Sequence, residues 1–447
     1  MVLRNIKLSL WGVLLGLTGL WALANTGLPE TLTFVAIRNL LTQYSGVIGV
    51  GVMSVVMVLA LRPVWLEPWL GGLDKSYRLH KWLGISGLVA SVFHWVVVNG
   101  PHWLVNLGWM ERGKRPPQSD STSLGAVEQF LGDLRHPAES VGEWAFYAVV
   151  LLIALALIKR FPYRLFAKTH TLIAVAYLAL AFHAVVLMNF SAWMQPLGIV
   201  MGLLLTSGVV SALLVLSRQA GKWRRAEGAI EAFHHFPDMK VLETMILLKN
   251  GWKGHKSGQF AFVTFDPKEG PHPFTIASAW DASNPRIMFI TKGLGDYTDF
   301  LPEHVQVGNT VAVEGPYGTF TFDDSAQRQI WIGGGIGITP FIARMKQLAR
   351  TPGAQAIDLF HSTTELAPDA LAKLTADAAA ANVTLHVMID HRDGRLTGDV
   401  LRQAVPNWAK ASVWFCGPAG FGNALHNDLL AHGLPRHAFH QELFNMR

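Results

Sequence analysis

The chain has 447 residues, 51% of them hydrophobic against 15% charged, and a mean hydropathy of +0.29, too apolar for a protein soluble throughout its length. A net charge of +6 and a pI near 9.4 fit basic anchors beside membrane spans, and no basic stretch alternates with aromatics as a nucleic-acid groove would require. The single cysteine, Cys416, excludes an intrachain disulfide and a cysteine-ligated metal cluster.

Six stretches are long and apolar enough to span a bilayer: 8–24, 44–61, 81–98, 142–158, 170–188 and 196–216. Pro63, Gly71-Gly72, Pro101, Pro162 and Pro196 punctuate their ends. The first follows Arg4 and Lys7 like a signal peptide, yet it has no small-residue cleavage site and further spans follow, so it reads as a retained helix. Fourteen basic residues fall on one side, at the N-terminus, after the second and fourth spans and behind the sixth. Arg38, Arg112, Lys114, Arg115 and Arg135 fall on the other. This asymmetry predicts a multi-pass protein of a bacterial-type inner membrane, with both termini cytoplasmic.

Four histidines stand out in the third and fifth spans. His80 and His94 are fourteen residues apart, close to four helical turns, so both leave one helix face roughly 21 Å apart. His170 and His183, thirteen apart, repeat the device. Imidazole at bilayer depth usually meets a partner or a cofactor. Both spans run the same way, which predicts an inner pair, His80 with His170, and an outer pair, His94 with His183. Such pairs suit two stacked b-type haems, each ligated from both sides. The outer loop 99–141 holds His102 and His136, which are solvated histidines unless they meet a metal substrate or the outer haem.

After residue 220 the composition changes. MKVLETMILLKN, GQFAFVTF, PRIMFITK and NTVAVEG have the length and β-branched content of strands and predict a small antiparallel barrel. From Gln329 strands alternate with helices, which predicts a doubly wound parallel sheet. The expected organisation is a six-helix transmembrane bundle (1–220), an antiparallel β-barrel domain (221–327) and an α/β domain (328–447). At the start of the last, QIWI runs into Gly333-Gly334-Gly335-Ile336-Gly337-Ile338-Thr339-Pro340 and a helix. Glycines admit a pyrophosphate, the helix N-terminus supplies amides, and Pro340 suits the first helical turn. In the barrel, His272-Pro273-Phe274-Thr275-Ile276-Ala277-Ser278 offers a ring, two hydroxyls and backbone donors. Lys292-Gly293-Leu294-Gly295-Asp296-Tyr297-Thr298 offers a cation and a hydroxyl suited to phosphate.

Together these motifs, with EGPYG at 314–318 and FCGP at 415–418, resemble the NADPH oxidase and ferric reductase family over nearly the whole chain. That resemblance implies a di-haem membrane domain fused to a ferredoxin–NADP reductase-like module. It implies flavin contacts from His272, Pro273, Phe274, Thr275 and Ser278, with Lys292, Gly295 and Thr298 on the FAD pyrophosphate. It implies dinucleotide contacts from Gly333, Gly334, Gly335, Gly337, Thr339 and Pro340, and a nicotinamide wall of Cys416, Gly417 and Pro418. Phe444, near the C-terminus, is the candidate aromatic that stacks on the flavin. His272 stands where many relatives have arginine, so the flavin phosphate contact differs there.

The expected activity is transmembrane electron transfer from NAD(P)H, through FAD and two b-type haems, to oxygen, giving superoxide. Ferric-chelate reduction is the alternative, and a merely membrane-anchored flavin reductase a weaker one. Ser362 and Arg395 are expected to take the 2′-phosphate of NADPH, with NADH the other possible donor.

Overall fold

The computed structural model describes residues 2–26, 31, 33–111, 125–158 and 160–442. These fall into two compact units, one of residues 3–63 and 76–220, the other of 64–75 and 221–446.

The first unit is a helical bundle: α1 (Val2–Ala24), α2 (Phe34–Ala60), α4 (Leu73–Asn106), α5 (Ala126–Asp133), α6 (Arg135–Leu157), α7 (Tyr163–Leu187) and α8 (Pro196–Leu216), while α3 (Glu67–Leu70) belongs to the second. Six of these helices are long and apolar enough to cross a membrane. They turn large apolar side chains outward, Leu15, Leu151, Ile199 and Leu203 among them, as a hydrocarbon solvent allows. Inside, Met53, Val149, Tyr177 and Leu205 pack together, and the Tyr177 hydroxyl shares a 2.8 Å hydrogen bond with that of Ser54.

Helix α4 is longer than its apolar stretch suggests and passes through Pro101 instead of ending there. A proline at this position removes the amide that would donate to the Val97 carbonyl. The Arg38 guanidinium from α2 supplies donors instead, Nε to Val97 O at 3.3 Å and an Nη to Val98 O at 3.0 Å. Arg38, an outer-side cation in the sequence, is thus bound to a helix backbone.

In the second unit, β1 (Arg225–Phe236), β2 (Val241–Leu248), β3 (Phe260–Thr264), β4 (His272–Thr275), β5 (Arg286–Lys292), α9 (Asp296–His304) and β6 (Thr310–Tyr317) build an antiparallel sheet, order β4-β3-β6-β1-β2-β5. Its edges return to each other through the Ile276–Phe289 bridge and the Ala277 amide on Met288 O (2.7 Å), which curls the sheet around Val263, Ile287, Phe289 and Val313. Burying each of these side chains contributes roughly 1.5–3 kcal/mol.

The rest is a parallel sheet with helices: β7 (Arg328–Gly334), α10 (Thr339–Arg350), β8 (Ala356–Thr363), α11 (Pro368–Ala380), β9 (Thr384–Ile389), α12 (Asp390–Asp393), α13 (Gly398–Ala404), β10 (Ser412–Cys416), α14 (Ala419–Ala431) and β11 (Phe439–Gln441). The order β11-β10-β7-β8-β9 makes the gap between β7 and β10 the topological switch point. QIWIGG and SVWFC are buried along their whole length, as strands covered on both faces must be.

Arg38→Leu is expected to destabilise the bundle by about 1–3 kcal/mol, because the half-buried Val97 and Val98 carbonyls lose its donors. Pro101→Ala, which restores an amide for Val97, should recover most of that loss. Thermal unfolding in detergent checks this; an equal loss in the single and double variants would contradict it.

Candidate functional site

Two ring pairs occupy the bundle. His80 on α4 faces His170 on α7 with centroids 5.9 Å apart, and His94 faces His183 at 6.3 Å. The rings are tilted by 59° and 83°, so neither pair is a stacking contact. Two imidazoles that ligate one metal from opposite sides, each nitrogen about 2 Å away, have centroids roughly 6 Å apart. The geometry of both pairs fits such a group.

The surroundings of the second pair fit as well. His183 Nδ1 lies 2.8 Å from Ala138 O, and His94 Nδ1 lies 3.0 Å from both Thr42 O and Ser45 Oγ. Ser45 donates its own proton to Leu41 O (2.6 Å), which leaves its oxygen free to accept. Both Nδ1 atoms therefore act as donors, and the lone pair of each Nε2 is left for a ligand. Gly142 makes the room for His183, since a Cβ there would lie 2.0 Å from its Nδ1, whereas one on Gly46 would only touch His94 at an ordinary 3.5 Å. In the other pair, His170 stacks on Phe166 (5.0 Å), and its Nδ1 is buried with no hydrogen-bond partner among the described residues. His102 and His136 are exposed and stand outside both pairs.

In the other unit the switch point gathers the glycine turn and the 416–418 stretch. Gly333, Gly334 and Gly337 are needed for close approach: a Cβ on Gly337 would lie 2.1 Å from Cys416 O, and one on Gly334 2.9 Å from Pro418. Gly335 differs, with φ +54° and open space where its Cβ would point, so it is the glycine that leaves room for a ligand. Thr339 Oγ1 closes the turn on Ile336 O (2.8 Å), and Pro340 opens α10. A cleft of about 410 Å³ beside the turn is lined by Lys292, Gly335, Ile336, His361, Thr363 and Lys373, so the cation of the Lys292–Thr298 loop joins the glycine turn. Within that loop, Thr298 Oγ1 accepts the Leu294 amide (2.9 Å) and Gly295 caps α9.

His361 was not singled out by its sequence. It is buried, its Nδ1 donates to Gly333 O at 3.2 Å, and burial holds its pKa down at about 4, so it braces the turn as a neutral ring. A histidine at a strand end beside a glycine turn is the only signal it leaves.

The 272–278 stretch divides. His272 stacks on Tyr297 (4.1 Å, 13°), and burial lowers its pKa, so the ring there is neutral. Pro273 and Phe274 pair with Phe262 and Ala261, and Thr275 is buried opposite Phe260. Ser278 serves the closure of the barrel: its Oγ accepts the Met288 amide (3.0 Å), and it lines a separate cavity of about 170 Å³. Cys416 is fully buried, and burial pushes its thiol well up, which leaves it a wall and not a nucleophile. Ser362 Oγ lies 3.5 Å from Asp390, which also faces Arg395 at 3.9 Å. Phe444 lies outside the described residues, as does 112–124 of the long loop.

A buried acid cluster has no local signature in the sequence. Glu67, Asp74, Glu314 and Glu442 are all buried, with Lys75 and Arg224 as the accompanying cations. The Gly318 amide donates to Glu67 Oε2 (2.8 Å), Lys75 Nζ meets Asp74 (2.8 Å) and Gln441 O (3.0 Å), and Arg224 donates to Pro316 O (2.6 Å). Tyr317 donates to Glu314 at 2.7 Å. The segment 64–75, which joins two spans in sequence, is tied in this way to β6 and to the end of β11. Burial raises Glu67 to about 7, against the Gly318 amide and Arg224, and raises Glu442 to about 8, with Asp74 adding to it.

Residues 45–181 match the family described as ferric reductase like transmembrane component, and residues 238–321 match an FAD-binding domain. The first match holds His80, His94 and His170 and ends two residues before His183; the second holds the 272–278 and 292–298 stretches. Among individual proteins, the chain is 25% identical over 161 residues to a flavohemoprotein of Oceanobacillus iheyensis, covering 34% of this chain and 40% of that one. It is 26% identical over 200 residues to the reductase component of propane 2-monooxygenase of Mycolicibacterium goodii, covering 40% and 56%. The chain thus spans about half or less of the length of these curated relatives. The FAD/NAD-binding domain of nitric oxide dioxygenase from Vibrio cholerae superposes with a TM-score of 0.43 at 19% identity, over 49% of this chain and 98% of that one.

Fold and matches together define a multi-pass membrane protein with an FAD-binding domain, followed by an α/β domain built on a parallel sheet. In chain order these are a ferric reductase-like transmembrane component over residues 45–181 and an FAD-binding domain over residues 238–321.

The two raised carboxyls set a pH dependence. Their folded pKa values lie above the unfolded value of 4.5, so the stability they contribute is complete below about pH 4.5 and is lost as pH rises through 7 to 8. The loss for Glu67 is on the order of 3 kcal/mol. The unfolding temperature should therefore fall from pH 5 to 8.5 in the native protein, and less so in Glu67→Gln/Glu442→Gln. Parallel pH profiles for the two proteins would contradict this.

Proposed function

We propose that this chain is a transmembrane electron-transfer enzyme that oxidises NADPH on the cytoplasmic side and reduces oxygen to superoxide on the outer face, with FAD and two b-type haems as its electron carriers. The observation that carries the reading is the pair of facing histidine pairs in a ferric reductase-like bundle, fused to a module with flavin and dinucleotide motifs. When bound, the flavin accepts a hydride and releases single electrons, and haem iron carries electrons singly.

His80 and His170 would hold the inner haem, and His94 and His183 the outer. Phe274 and Thr275, flanked by Pro273, would seat the flavin ring, with neutral His272, Lys292, Gly295 and Thr298 toward its phosphates. The Gly333–Pro340 turn would receive the dinucleotide pyrophosphate at Gly335, against the wall of Cys416, Gly417 and Pro418. Ser362 and Arg395 would favour the 2′-phosphate of NADPH over NADH. Phe444 is the candidate ring over the flavin. The domains are 1–220, 221–327 and 328–447, with both termini cytoplasmic, as the fourteen basic residues on one side favour.

Oxygen is supported as the acceptor by Arg38. This half-buried cation lies one helical turn from Thr42, the residue that holds His94, and favours negative charge developing on that side. The match to a ferric reductase-like component supports ferric chelate as the second reading.

His183→Ala and Gly142→Ala should each reduce bound haem from two per chain to one while leaving reduction of the flavin by NADPH unchanged. Two haems retained in both variants would count against the pairs. On reconstituted protein supplied with FAD, NADPH-driven cytochrome c reduction should be inhibited by superoxide dismutase. No inhibition, together with fast anaerobic reduction of a ferric chelate, would replace oxygen with iron.

A further inference from the structure

Asp390 opens the short helix α12 where β9 ends, and its position concerns the donor's ribose. Ser362 and Met388 are registered partners on the adjacent strands β8 and β9, so the hydroxyl and the carboxylate emerge together at the C-terminal ends of the sheet. Ser362 Oγ reaches Asp390 Oδ1 at 3.5 Å, and Arg395 Nε lies 3.9 Å from Oδ2 with its side chain 88% exposed. Arg392, the other arginine of HRDGRLT, is committed to Asp393 through Nε and an Nη at 2.8–3.0 Å, and Asp393 in turn accepts the Ile389 amide. Asp390 is therefore the group that Ser362 and Arg395 share.

A hydroxyl and a guanidinium are the donors that a 2′-phosphate needs, and here a carboxylate stands between them. A phosphate dianion must displace that carboxylate and then sit beside its charge, whereas a free ribose hydroxyl can donate to it. We infer that Asp390 is a specificity-determining residue, which lowers the preference for a 2′-phosphate and gives the site its capacity for NADH. This rests on the ribose placement proposed above.

The test needs no electron transfer: calorimetric Kd values for 2′,5′-ADP and for 5′-AMP on the full chain in detergent, compared across Asp390→Asn, Asp390→Ser, Arg395→Ala and Ser362→Ala. Asp390→Asn should tighten 2′,5′-ADP about tenfold and leave 5′-AMP unchanged or weaker. The kcat/KM ratio of NADPH to NADH should rise in parallel, and Asp390→Ser guards against a folding artefact of one substitution. Arg395→Ala and Ser362→Ala should weaken 2′,5′-ADP. If those two do so while neither Asp390 variant shifts selectivity, the role of Asp390 is refuted and the ribose placement stands. If none of the four variants changes either Kd, the placement itself fails and the inference falls with it.

Discussion

Imidazole rings facing each other across an apolar bundle are the constraint on which the rest of this structure depends. A neutral imidazole has one donor and one acceptor, and a hydrocarbon surround satisfies neither. His94 and His183 meet the donor half of that demand with backbone carbonyls and Ser45. The acceptor half is left for a ligand between the rings. Gly142 is part of the same solution, since any Cβ there would occupy the place of the His183 ring. Helix length follows from it too: α4 runs on past His94, and Arg38 serves the Val97 carbonyl that Pro101 would strand.

The module obeys a different constraint, the approach of backbone to backbone at the switch point. Three of the four glycines in the Gly333–Gly337 turn have neighbours that exclude a side chain, and the 416–418 stretch supplies most of them. Phosphate binding is thus not the only reason for a glycine-rich turn here; packing accounts for Gly333, Gly334 and Gly337, and the open space lies at Gly335. His361 braces the arrangement from β8. The buried acids concern another edge of the same unit, where Glu67 and Lys75 hold the 64–75 segment against residues 318 and 441.

Much of this was legible in the sequence because its signals are periodic or local. Hydropathy revealed the six spans, and the switch from alternating strands to strand–helix repeats revealed the antiparallel and parallel sheets. Residue spacing brought out the histidines. What escaped depended on distant partners. Pro101 reads as a helix end unless Arg38, more than sixty residues earlier, is known to replace the missing donor. The acid cluster draws on four separate stretches, and each acid alone reads as a solvated surface residue. Ser278 accepts the Met288 amide, a contact with β5 that its own motif does not signal. Asp390 is a further case, since only the pairing of β8 with β9 brings it beside Ser362.

The most direct test of the account is the iron content and electronic state of the purified full chain. Quantitative haem extraction with low-temperature electron paramagnetic resonance should find two haems per chain, both low-spin with two imidazole ligands, and both reducible by NADPH under anaerobic conditions once FAD is present. A chain that folds, binds FAD and oxidises NADPH but holds no haem, or holds only high-spin haem, would contradict the claim that the paired histidines carry electrons.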